Sequence, residues 1–137
     1  MINVIIGEKG TGKTAKLIEA VHAAEQVAAG SVVFINKGKR HVLDLSHKVR
    51  LVDTEEYGVA SYEEFFGFVC GILSQNYYDI AHIFIDSITK IVNDDLSALE
   101  RFLDKTNLVA DQSNAEIQII LSMNPDDATD GVKKFVK

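Results

Sequence analysis

At 137 residues, 47 % hydrophobic and 25 % charged, the chain is expected to form one domain, residues 1–137, around a single core. A formal net charge of −6 argues against a dedicated non-specific nucleic-acid binder, and the lone cysteine, Cys70, excludes an internal disulfide. One proline argues against disordered linkers, and no stretch has the length or apolarity of a membrane span, so the expected compartment is the cytoplasm.

The first element, Ile2 to Ile6, has the length and β-branched character of a buried strand. It runs into Gly7-Glu8-Lys9-Gly10-Thr11-Gly12-Lys13-Thr14, a complete G-x-x-x-x-G-K-[ST] pattern. Leu17, Ile18, Val21, Ala24 and Ala28 then recur at helical spacing, which predicts a helix to about Ala29 with Gly30 at its C′ position. A strand, a glycine turn and a helix N-terminus in that order form a cradle for a polyphosphate. Gly7, Gly10 and Gly12 are expected to take positive φ, so that several N–H groups converge on one anion. The helix end adds unsatisfied donors and the positive end of its dipole. Lys13 supplies a mobile charge for the β- and γ-phosphates, and the Thr14 hydroxyl is placed to ligand Mg²⁺. The expected cradle is Gly7, Glu8, Lys9, Gly10, Thr11, Gly12, Lys13, Thr14 and Ala15. A glycine-rich turn could match these letters by chance; the strand before and the helix after remove most such accidents.

Ser31 to Asn36 reads as a second buried strand. Residues 37–50 hold Lys37, Lys39, Arg40, Lys48 and Arg50 against the single acid Asp44, with His41 and His47 between them. Most such runs are solvated surface; a nucleic-acid or protein surface is the less favoured reading. Val49 to Val52 predicts a short third strand, followed by the acids Asp53, Glu55 and Glu56. Glu55 or Glu56 could reach the site from that strand's end to activate water, but solvated surface acids are the favoured reading. Ser61-Tyr62-Glu63-Glu64 is a capping box, and Phe65, Phe66, Val69, Ile72 and Leu73 give the helix it opens one apolar face. Cys70, within that helix, is expected to be a buried, inert thiol. Ile80 to Ile85 is the next strand, and Asp86 follows it. A helix from Asp94 or Asp95 turns Leu96, Leu99, Phe102, Leu103 and Val109 inward, and Glu116 to Ser122 is the last clear strand. The tail after Pro125 reads as a short helix or an edge strand.

Strands alternating with helices imply a mainly parallel α/β sheet of about five strands with helices on both faces. Ligands of such sheets sit at the carboxyl ends of the strands. Asp86, closing the apolar run Ile80-Ala81-His82-Ile83-Phe84-Ile85, therefore becomes the candidate Walker B carboxylate, orienting Mg²⁺ jointly with Thr14. His22 and His82 lack partners at metal-ligand spacing, and Tyr77-Tyr78 reads as packing.

The segment Ile83-Phe84-Ile85-Asp86-Ser87-Ile88-Thr89-Lys90-Ile91 resembles the Walker B region of RecA-like P-loop ATPases, and Leu121-Ser122-Met123-Asn124 resembles their sensor strand. The resemblance covers most of residues 1–125. It implies a three-layer P-loop fold in which the sensor strand lies between the loop strand and the Walker B strand. It also implies that ATP and Mg²⁺ are bound, and that Ser122 or Asn124 senses the γ-phosphate. Two features depart from the family. Ser87 stands where many members of the wider class carry a Glu, and Asn36-Lys37-Gly38-Lys39 follows the second strand without the acid that RecA-like members place there. The extra strands usual after the sensor strand are missing. Asn36-Lys37-Gly38-Lys39 also lacks the final Asp of the guanine-reading N-K-x-D, and Lys9 is one position too close to Lys13 for the signature lysine of the deviant loop family, so it is expected to face solvent.

Three functions stay open on these residues. One is an Mg²⁺-dependent ATPase with weak or partner-dependent hydrolysis, in which Lys13, Ser122 and Asn124 attend the transferring phosphoryl group. Another is a nucleotide-controlled binding module with little turnover, acting on a protein partner or as a homo-oligomer. The third is a small-molecule or nucleotide kinase, which the sparse arginines (Arg40, Arg50 and Arg101) disfavour.

Overall fold

Strand β1 (Ile2–Gly7) lies at one edge of a sheet that the sequence visits out of order. With β2 (Ser31–Asn36), β3 (Arg50–Asp53), β4 (Ile80–Ile85) and β5 (Glu116–Ser122) it forms a five-stranded sheet in the order β1-β5-β4-β2-β3. Every pairing is parallel. The computed structural model describes residues 1–38, 44–74 and 79–137. Lys39, Arg40 and His41 of the basic run, and Tyr77 and Tyr78, lie outside them.

The strands are almost continuously Val, Ile and Phe because helices cover both faces. Helix α1 (Lys13–Val27) sets Leu17, Val21 and Ala24 against Val32, Phe34, Phe84 and Ile120 on one face. On the other, α2 (Tyr62–Ser74) and α4 (Leu96–Ser113) bring Phe65, Val69, Phe102 and Leu103 onto Val33, Ile35, Ile83, Ile85, Ile117 and Ile119. The alternation along each strand thus sorts neighbouring residues into two separate cores. The architecture is α/β, compatible with three layers.

The capping box forms: the Ser61 hydroxyl accepts from Glu64 N at 3.1 Å, and the Glu64 carboxylate accepts from Ser61 N at 3.1 Å. Asp95 caps α4 by accepting from Ala98 N at 2.7 Å. Leu99, Phe102 and Leu103 are buried as expected, whereas Leu96 in the first turn is 37 % exposed. Strand β3 starts and ends one residue later than expected, which brings Asp53 into register with Asn36.

Gly30 has a different role from the one expected. Helix α1 stops at Val27, and Gly30 has no positive φ. A Cβ there would lie 2.4 Å from the Asp79 carbonyl oxygen, so glycine is needed for close approach of two backbones. Cys70 is half-buried, and burial pushes its thiol upward, away from the reactive thiolate. Of the two expectations for the tail the short helix forms, as the single turn α5 (Asp130–Lys133); in place of an edge strand, Val136 makes one isolated parallel bridge with Val4 of β1. No helix among the described residues is long and apolar enough to cross a membrane.

Candidate functional site

The loop between β1 and α1 is shaped by three glycines that act in two ways. Gly10 and Gly12 take positive φ, +87° and +80°, a conformation that residues with side chains rarely adopt. Gly7 does not have positive φ, contrary to expectation. Its lack of a side chain makes room, since a Cβ would lie 3.1 Å from Thr11 Oγ1 and 3.4 Å from Lys13 Cδ. Gly12 caps α1 with no side-chain hydrogen bond, and the first turn contains no acid. That helix end therefore presents donors and a positive dipole end with no built-in anion.

Lys13 is 8 % exposed and folds back over the loop. Its ammonium donates to the Glu8 carbonyl at 2.6 Å and to Thr11 Oγ1 at 3.3 Å, while Thr11 Oγ1 donates to the same carbonyl at 2.9 Å. A buried ammonium resting on neutral oxygens can move to a stronger acceptor such as a phosphate at modest cost.

Asp86, 1 % exposed, reaches the same place from β4. Thr14 Oγ1 donates to Asp86 Oδ1 at 3.1 Å across a sequence separation of 72, and Ser87 Oγ donates to that oxygen at 3.0 Å. The two predicted metal residues are thus brought together. Among the described residues there is no group of three or more His, Cys, Asp or Glu that could hold a metal by itself. A hydroxyl and a carboxylate are a donor set that Mg²⁺ could use, since it keeps several waters and takes few protein ligands.

Ser122 ends β5 in register with Gly7, and Met123 N donates to the Gly7 carbonyl at 3.1 Å. A cavity of about 220 Å³ lies between Lys9, Gly10, Gly12, Lys13, Thr14 and Ala15 on the loop side and Ser87, Lys90 and Ser122 opposite. Three lysines border it, a positive setting for an anion. Lys9 is exposed, as expected, yet lines this cavity. Gly7, Glu8, Thr11 and Asn124 do not. They line a second cavity of about 490 Å³, with Lys16 and Pro125, and Lys13 borders both. Asn124 also caps the turn Pro125–Asp127, accepting from Asp126 N at 2.9 Å. The two candidate sensors thus line different cavities.

Two residues escaped the sequence reading. Lys90 is one, since a single lysine after an aspartate has no distinguishing spacing. Asn36 is the other: it is 0 % exposed, and its amide nitrogen and oxygen make no hydrogen bond among the described residues. A polar residue closing the apolar run Val32-Val33-Phe34-Ile35 was the available signal. Glu55 and Glu56 are exposed at the end of β3, four strand positions from β1, or roughly 19 Å at ordinary strand spacing. His22 meets the Asp44 carbonyl at 3.0 Å, and the His82 ring stacks on Phe84 at 5.9 Å, so neither histidine approaches the loop. No family model matches the sequence, and no curated protein matches it either.

Proposed function

We propose that this chain binds a magnesium nucleoside triphosphate, with ATP favoured, as a minimal RecA-like P-loop protein, and hydrolyses it weakly. The observation that carries the reading is the 3.1 Å contact between Thr14 and Asp86, beside an uncapped helix N-terminus. The position of β5 between β1 and β4 supports it, because this is the strand order the RecA-like resemblance implies.

In this reading the loop N–H groups and the first turn of α1 receive the phosphate chain, and Lys13 leaves the Glu8 carbonyl to neutralise the β- and γ-oxygens. Thr14 and Asp86 would hold Mg²⁺, whose chemistry would be to offset the negative charge on those oxygens. Ser122 offers a hydroxyl to the terminal phosphate. Positioning and charge account for most catalysis of phosphoryl transfer, so turnover persists without a strong base. It stays slow because Ser87 donates its proton to Asp86, and because Glu55 and Glu56 lie across the sheet.

The Ser87 contact also favours a second reading, a nucleotide-controlled module with little turnover. Phosphate release from Mg-ATP, alone and with candidate polymers or phosphoryl acceptors, separates them, with Lys13→Ala as control. Turnover lost in that variant supports the ATPase; tight binding without release supports the module; release only with a small acceptor points to a kinase. Absence of binding to any magnesium nucleoside triphosphate by folded protein overturns the proposal.

A further inference from the structure

We propose that Lys90 is a second phosphate-reading cation, directed at the terminal phosphate of the bound nucleotide, an inference that rests on the loop reading above. The chain reverses sharply after Asp86. Ser87, a non-glycine residue, sits in the left-handed region at φ 53°, ψ 59°, and starts the single turn α3 (Ile88–Ile91). Such a conformation is unfavourable for a residue with a side chain and persists only where the surroundings hold it. Two contacts hold it here: Ser87 Oγ donates to Asp86 Oδ1 at 3.0 Å, and Lys90 N donates to the Ser87 carbonyl at 2.8 Å. The strained turn thereby brings Lys90 to the wall of the 220 Å³ cavity that Lys13 also lines.

Direction along the phosphate chain follows from the metal residues. In the loop reading Thr14 and Asp86 would hold the cation that the terminal phosphates share, so the free end of the chain would lie on the Asp86 side of the cavity. Lys90 leaves the turn that follows Asp86, whereas Lys9 and Lys13 belong to the loop. It is exposed and takes no ion-pair partner among the described residues, so its ammonium is available to an incoming anion. A triphosphate reaches both cations; a diphosphate reaches only those of the loop. Lys90 would therefore discriminate the two, coupling the Asp86 turn to the presence of the γ-phosphate.

The test is calorimetric titration of the full chain with Mg-ATP and Mg-ADP for wild type, Lys90→Met, Lys90→Arg and Lys13→Ala. The proposal expects Lys90→Met to weaken ATP binding about tenfold and ADP binding less than about twofold, with Lys90→Arg close to wild type. An ATP-to-ADP affinity ratio unchanged in Lys90→Met overturns the role of Lys90 while leaving the loop reading intact. Wild-type protein that binds neither nucleotide, or Lys13→Ala that binds both normally, overturns the loop reading and this inference with it.

Discussion

Asn36 stands beside Asp86 across the β2–β4 pairing, at the register where Asp86 N donates to the Ile35 carbonyl at 2.9 Å. By strand alternation both side chains lie on the face covered by α1, with Phe34 and Phe84 beneath them. One is a carboxylate that accepts from two hydroxyls. The other is a buried amide whose two polar atoms make no hydrogen bond among the described residues.

That amide makes a stability prediction. A buried, unsatisfied polar group costs roughly 1–3 kcal/mol, whereas an apolar group of the same shape is neutral or stabilising. Asn36→Leu is expected to leave the unfolding free energy unchanged or raise it by about 1 kcal/mol. Urea denaturation checks this; a loss of about 2 kcal/mol or more would mean that the amide is satisfied in solution.

Asp86→Asn tests the metal assignment. Losing the carboxylate charge is expected to weaken nucleotide binding about 10- to 100-fold with Mg²⁺ and far less with EDTA. Equal losses in the two conditions would show that Asp86 acts on the loop fold and not on a cation.

Gly30 gives a control remote from the site. Gly30→Ala drives a Cβ to 2.4 Å from the Asp79 carbonyl oxygen, a backbone atom that has to shift with β4. The expected cost is about 1–3 kcal/mol, with nucleotide affinity unchanged in the folded fraction. A thermal midpoint equal to wild type would rule out this close approach.

Tyr62 predicts an alkaline weakness. Burial, and next the nearby Asp94 charge, push its phenol up to about 12 from 10.0, and its ring packs on Phe102 at 5.4 Å. The folded state holds the proton between those values while the unfolded state releases it. Stability is therefore complete below pH 10 and falls as pH rises toward 12, by on the order of 2 kcal/mol. Tyr62→Phe is expected to flatten that decline in unfolding curves taken from pH 9 upward. A decline of the same slope in the variant would assign it to other groups.

The sequence by itself determined what neighbouring residues decide among themselves. The strand, glycine turn and helix of residues 2–27, the capping box at Ser61, the helix start at Asp94 or Asp95 and the apolar run into Asp86 each rest on periodicity or a local hydrogen bond, so each was legible. Tertiary structure alone decided which strands became neighbours. Placing β2 and β3 beyond β4 carried Glu55 and Glu56 away from the loop and set Asn36 beside Asp86. Inserting β5 next to β1 brought Ser122 to Gly7 and left Asn124 lining a different cavity. The reversal at Ser87 delivered Lys90 to the cavity, and close approach, not capping, required Gly30. Strand order and clearance depend on burying two helix layers against one sheet, a property of contacts between distant residues that no local pattern encodes.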